Sequence, residues 1–211
     1  MLKYFQLLFL LFLLPAVAFI SCNQSSNSSN SISKKNDNKF TVAVMPYKGF
    51  DTALLDDILK EIEVFYACNV ITLPVNDLPE NAFYFPRQRY KADSLLLFQK
   101  QLAKDGMRSV VGFTANDIST STPDWGIFGL GYCPGKACVI STYRLQKASV
   151  TAAQLKERLI KVVLHELGHN LGLPHCTEDK ECLLTDAGGT IKQVDKERKW
   201  LCSHCTQILH Q

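Results

Sequence analysis

HELGHNLGLPHC, residues 165–176, holds three of the chain's five histidines and sets a glutamate beside the first. On an α-helix, positions four apart lie on one face, one turn up, so His165 and His169 can hold one ion between them. Neutral imidazole nitrogen suits zinc. Glu166 follows the first ligand and is rotated to sit beside the metal. There it can take a proton from a zinc-bound water and later pass it to a leaving amine. Gly172 permits the positive φ that ends a helix abruptly. Pro174 stops the helix resuming, and the chain can swing His175 back toward the first two histidines. Three protein ligands leave a fourth position open, as a catalytic zinc requires. H-E-x-x-H alone is short enough to arise by accident, and glycine and histidine at the further spacings make it far more specific. Imidazoles that merely face solvent would not explain three ligands and a base arriving together.

Upstream of this stretch, strand and helix patterns alternate. FTVAVMPY (40–47) reads as a strand rich in valine and aromatics. Residues 52–67 place Leu54, Leu55, Ile58, Ile62, Phe65 and Tyr66 at the spacing of one helical face. NVITLPV (69–75) reads as a second strand, and residues 92–102, with Leu95, Leu96, Leu97 and Leu102, as a second helix. SVVGFT (109–114) gives a third strand. Residues 126–133 and 137–145 give two more, joined by a turn at Pro134–Gly135. A long helix over 151–171 then carries the histidines. This alternation predicts an α/β fold with a mixed, mostly parallel sheet. The closely connected late pair predicts an antiparallel strand at its edge.

With 211 residues, 46% hydrophobic and 20% charged, the chain is long enough for one domain with an appendage. A net charge of +3 and the lack of any run rich in lysine or arginine argue against a nucleic-acid partner. There is no internal repeat, heptad seam or glycine-rich phosphate loop, and nothing in the pattern sets an oligomeric state. Lys3 precedes an apolar run over 7–20 that ends in FISC, residues 19–22. A small residue and then cysteine after such a run resembles a bacterial lipoprotein signal, although Phe19 stands where leucine is usual. By that resemblance residues 1–21 are a signal peptide and Cys22 is the lipidated first residue of the mature chain, exported and membrane-anchored in the bacterial cell envelope. An uncleaved signal anchor stays open, because the run approaches a bilayer-spanning length. Residues 22–39 are almost wholly polar and predict a flexible tether, which leaves 40–211 as the folded domain.

The cysteines form a second pattern. Cys176 directly follows the third histidine, Cys182 lies six residues on, and Cys202 and Cys205 form a CSHC pair. Four thiolates so arranged suggest a closed tetrahedral zinc site pinning the C-terminal segment to the active-site helix. Two disulfides are the competing reading in an oxidising compartment. The C-x-x-C spacing favours zinc, and His204 is a spare ligand. Cys133 and Cys138 flank the Pro-Gly turn and could close a local disulfide, whereas Cys68 reads as a small buried hydrophobe.

HELGHNLGLPHC, with Cys182 and CSHC downstream, resembles the archaemetzincins, a branch of the metzincin zinc peptidases. The likeness extends upstream through RQRYKADSLL (87–96), VVGFTANDI and VISTYRL, so it covers most of the domain. It implies a metzincin-like α/β fold with an active-site helix and a C-terminal structural zinc segment. It also implies two Zn²⁺ per chain. The catalytic ion would sit on His165, His169 and His175 with Glu166 as general base, and the structural one on Cys176, Cys182, Cys202 and Cys205. Two departures stand out. Five residues, TEDKE, separate Cys176 from Cys182 where the family has four. Leu184 also occupies the place of the family's methionine below the metal. Leucine and methionine have similar volumes, and such swaps usually cost less than about 1.5 kcal/mol.

The expected activity is zinc-dependent hydrolysis of peptide bonds in a peptide or protein substrate, as an endo- or aminopeptidase. An edge strand would pair with the extended substrate. Two other readings stay open: a non-catalytic, zinc-containing tethered binding protein, and an amidase acting on cell-wall peptides.

Overall fold

A period of two along the central strands sets the layers. A computed structural model describes residues 39–211. Within them the regular elements run β1 (Thr41–Pro46), α1 (Leu55–Phe65), β2 (Asn69–Thr72), β3 (Phe83–Tyr84), β4 (Arg89–Lys91) and α2 (Ala92–Leu102). Next come β5 (Met107–Thr114), β6 (Ile118–Ser119), β7 (Gly126–Ile127), β8 (Gly129–Gly131), β9 (Ala137–Ser141) and α3 (Ala152–Asn170). The short helices α4 (Ile191–Lys196) and α5 (Ser203–Leu209) end the chain. In β1, Val42 and Val44 join one core and Ala43 and Met45 the other. A strand covered on both faces must be apolar at successive positions. β5 and β9 do the same. Val111, Phe113, Cys138 and Ile140 lie in the core with residues of α1 and α3, while Val110, Ala137 and Val139 lie in the core with residues of α2.

The main sheet has the order β2-β1-β5-β9-β8. β2, β1, β5 and β9 are parallel, and β8 runs antiparallel to β9 at the edge. This is the mixed, mostly parallel α/β architecture that the alternation predicts. α3 starts with a capping box. The Gln154 backbone N–H donates to Thr151 Oγ1 (3.2 Å), and the Thr151 N–H donates to Gln154 Oε1 (3.0 Å). α1 is preceded by a 3-10 turn, Thr52–Leu54, whose N-cap Asp51 accepts from the Ala53 N–H.

Three local expectations need correction. The stretch 126–133 is not one strand: β7 belongs to a second sheet, ordered β3-β4-β6-β7, and only β8 joins the first. Glycines at 126, 129 and 131 allow this bend and make room for neighbours. A Cβ at Gly126 would lie 2.0 Å from the guanidinium carbon of Arg144, which pairs with Asp117. The strand expected over 137–145 stops at Ser141. The Ser141 hydroxyl donates to Asn116 O (2.6 Å) and accepts from the Tyr143 N–H (3.1 Å), turning the chain away. The local disulfide between Cys133 and Cys138 does not form. Cys138 is buried in the ladder opposite Gly131, whereas the Cys133 thiol lies past the end of β8 and donates to Leu173 O. Cys68 is buried, with its thiol directed at Ile62 O.

The signal segment, Cys22 and nearly all of the tether lie outside the described residues. Among the described residues, no helix is long and apolar enough to cross a membrane.

Candidate active site

The last two turns of α3 carry His165, Glu166 and His169, and they are held from three sides. From α1, the Tyr66 hydroxyl donates to Leu164 O at 2.6 Å. A Cβ at Gly168 would meet that hydroxyl at 2.9 Å and Leu184 Cδ1 at 3.2 Å, so a glycine here lets both neighbours press against the helix. Leu184 is fully buried, packed where the resemblance places a methionine. At the helix end, Asn170 accepts from the Ser109 hydroxyl and donates to Tyr132 O (3.0 Å) and Ala137 O (2.9 Å). These bonds tie the β8–β9 hairpin to the helix. Gly172 has φ +101°, and the Leu173 N–H returns to Gly168 O (3.0 Å), closing the helix as the sequence predicts.

That turn brings His175 back. Ring nitrogens of His165, His169 and His175 lie within 4.8 Å of one another, the first two buried and the third exposed. His165 Nδ1 faces Leu183 O and His169 Nδ1 faces Leu173 O, each at 2.7 Å. A carbonyl oxygen only accepts, so each Nδ1 carries the proton and each Nε2 is left with its lone pair. The two Nε2 atoms are 3.1 Å apart. Two lone pairs at that distance repel unless a cation lies between them. A tetrahedral zinc with ordinary Zn–N bonds would separate them by about 3.3 Å. Burial pushes the His165 pKa down to about 3 and lowers that of His169, so both are neutral, as ligands must be.

The histidines and Glu166 line one cavity of about 210 Å³. Burial pushes the Glu166 carboxyl up to about 8, opposed by the Gly131 backbone N–H. A divalent cation on neighbouring imidazoles acts in the other direction. A Cβ on Gly129 would fall 2.7 Å from Glu166 Cγ, and one on Gly131 would fall 2.5 Å from the Glu166 backbone oxygen. The bare edge strand β8 therefore lies directly against the helix. The sequence reading missed both glycines, although G-x-G within a strand pattern signals such a close approach. It also missed Asp186 and Glu197, which line the cavity from the segment leading to and following α4. No local motif marks these two.

The second cluster is equally compact. The sulfurs of Cys176, Cys182, Cys202 and Cys205 lie within 4.8 Å of one another, and all four residues are buried. Cys176 and Cys202 sulfurs are 3.6 Å apart, and those of Cys182 and Cys205 are 3.8 Å apart. A disulfide needs about 2.05 Å, whereas four Zn–S bonds place sulfurs about 3.8 Å from each other. The donors present therefore suit a tetrahedral metal, and none of the four cysteines forms a disulfide. His204 is exposed and outside the cluster. The additional residue between Cys176 and Cys182 is taken up by a turn around Asp179. Its carboxylate accepts from the Glu181 N–H (2.8 Å), and its carbonyl accepts from the Cys182 N–H (3.2 Å) and the Thr185 hydroxyl (2.8 Å).

Comparison with known proteins gives a consistent result. Residues 50–211 match Peptidase family M54. The archaemetzincin of Haloquadratum walsbyi is 32% identical over 152 residues, which span 69% of this chain and 85% of that protein. The crystal structure of the archaemetzincin from Methanopyrus kandleri aligns with a TM-score of 0.71 at 27% identity, covering 82% of this chain and 94% of that one. That of the Archaeoglobus fulgidus archaemetzincin, complexed with malonate, has a TM-score of 0.69 at 22% identity and supports the fold alone.

Proposed function

The chain belongs to peptidase family M54 and is a zinc metallopeptidase, and from that premise we propose that Glu166 is its general base and His165, His169 and His175 its catalytic-metal ligands. The observation that carries this reading is the convergence of three imidazoles and one carboxylate on a single cavity. When bound, zinc supplies a Lewis acid that polarises the scissile carbonyl and acidifies water. Leu183 O and Leu173 O hold the first two imidazoles in the tautomer that presents Nε2 to the ion. Glu166 takes the proton from the attacking water and delivers it to the leaving amine. In the first sheet β8 is paired on one side only, and residues 127–131 line the cavity. An extended substrate backbone can add to that edge beside Glu166.

A second zinc belongs, in this reading, on Cys176, Cys182, Cys202 and Cys205, where it closes the C-terminal segment. The N-terminal pattern supports a lipid anchor at Cys22 that holds the domain in the cell envelope by a polar tether. Cys22→Ser should move the protein from the membrane fraction to the soluble one. Unchanged membrane retention would point to an uncleaved anchor instead.

Metal analysis combined with a peptide-library cleavage profile tests the central claim. Glu166→Gln should keep its zinc and lose at least about 100-fold in kcat/KM. Full activity in that variant would remove Glu166 from the mechanism. Zinc bound by the wild type without any cleavage would favour a binding protein.

A further inference from the structure

Two carboxylates in the cavity have no part in the mechanism above. Asp186 and Glu197 line it from the segment around α4. Glu197, the C-cap of α4, is 4% exposed, and its Oε1 has no hydrogen-bond partner among the described residues. A buried carboxylate oxygen without a donor is costly, so this arrangement calls for a partner that arrives from outside. Gln193 hydrogen-bonds to the carboxylate, but among the described residues no group reaches Oε1. Lys161, the cation closest in its influence, donates its ammonium to Val194 O (3.1 Å) and Asp195 O (3.2 Å) and forms no ion pair with Glu197. Asp186 accepts from the Gly188 N–H (2.8 Å) and adds negative charge nearby. Burial first, and then Asp186, push the Glu197 carboxyl up to about 7, against the lowering pull of Gln193 and Lys161. A cation brought beside it would restore the charged form.

The remaining surface of the cavity is mostly apolar, with Ile127, Leu130, Val162, Ala187 and Val194 contributing, and among the described residues no lysine or arginine lines it. An aliphatic sleeve that carries a carboxylate suits a side chain with an alkyl stem and a cationic tip. Resting on the peptidase reading, we propose that Glu197 is a specificity-determining residue that receives the ammonium or guanidinium of a lysine or arginine flanking the scissile bond. The free α-ammonium of a peptide is the other source of the same charge, and the test separates the two.

Peptides identical except at the flanking positions (Lys, Arg, Gln, norleucine or Glu), each with a free or acetylated amino terminus, are cleaved by the zinc-loaded protein, and kcat/KM is compared. Lysine or arginine should exceed norleucine by at least roughly tenfold whether or not the terminus is acetylated, with glutamate poorest. In Glu197→Gln the ratio of basic to neutral peptide should fall close to one. That ratio is internal to each preparation and does not depend on how much of the variant folds. A wild type that cleaves glutamate and lysine peptides alike overturns the inference without a variant and leaves the peptidase reading standing. So does a preference that vanishes on acetylation, which assigns the charge to the α-amine, or one that survives Glu197→Gln. Failure to cleave any peptide overturns the peptidase reading and this inference with it.

Discussion

Glu166 has room only because the two residues against it have no side chain. A methyl group on Gly129 would sit 2.7 Å from Glu166 Cγ and 3.0 Å from both its Oε1 and Val162 Cγ1. The Glu166 side chain must then turn, while the strand and its ladder stay. One on Gly131 would meet the Glu166 backbone oxygen at 2.5 Å, and a helix backbone cannot turn aside. With Glu166 as the proposed base, Gly129→Ala should therefore keep its melting temperature to within a few degrees and its zinc, but lose at least about tenfold in kcat, since small misplacements of a base are expensive. Gly131→Ala should lose about 1–3 kcal/mol of stability in denaturant melts. Equal stability losses in both, with kcat intact in Gly129→Ala, would refute this division. At this scale the sequence was legible where the chemistry is local. His165, Glu166, His169 and His175 lie within eleven residues, and helix geometry relates them directly. Glu197 and Gly129 reach the same cavity only through the tertiary fold, from 31 positions after Glu166 and 37 before it. No spacing rule connects such distant positions.

At the level of elements, α1 acts on α3 through one side chain. Tyr66 follows the last turn of α1 and sends its hydroxyl to Leu164 O, against the flat face left by Gly168. Tyr66→Phe should cost about 0.5–1.5 kcal/mol by removing that bond, and Gly168→Ala about 1–3 kcal/mol by overpacking. The double variant should be less destabilised than the sum, because loss of the hydroxyl opens the space that the new methyl requires. Leu184 continues to limit that space. A double-mutant cycle should show at least about 0.5 kcal/mol of coupling, and strict additivity would mean that the two contacts are independent. The sequence announced these helices because each buries a stripe of periodic apolar residues: Leu55, Ile58 and Ile62 in α1, and Leu159, Val163, Leu164 and Leu167 in α3. The inner strands β1 and β5 were equally legible, whereas β2, β8 and β9 are each shorter than their sequence patterns. The second sheet was not legible, since β3, β6 and β7 are two residues each and β4 three, too short for any period to repeat. α4 and α5 were missed because only six and seven residues form them, and packing rather than pattern sustains helices that short.

Across the whole molecule, the two candidate metal centres share a piece of backbone. Cys182 belongs to the sulfur cluster, the next residue supplies the carbonyl that orients His165, and Leu184 packs beneath Gly168. The Leu183 N–H is in turn held by Trp200 O (2.9 Å), and the Cys176 N–H by Leu184 O (2.8 Å). A metal on the four sulfurs would thus clamp residues 182–184 between the end of α3 and the start of α5. Without it, four buried thiols lose the partner that brings them together, and the Leu183 carbonyl loses its fixed position. Partners that orient a metal-bound histidine typically govern metal affinity by 10–100-fold. Cobalt(II) titration of the metal-stripped protein distinguishes the two centres, because thiolate ligation gives intense charge-transfer absorption that imidazole ligation lacks. The wild type should develop the thiolate bands first and then bind a second ion. Cys202→Ser should weaken the thiolate bands and also lower affinity at the histidine site by at least about tenfold, with a fall in peptidase activity that excess zinc restores. An unchanged affinity at the histidines, with the cysteine site emptied, would show that the shared segment does not couple them. The catalytic centre would then depend on α3 and the Gly172 turn alone.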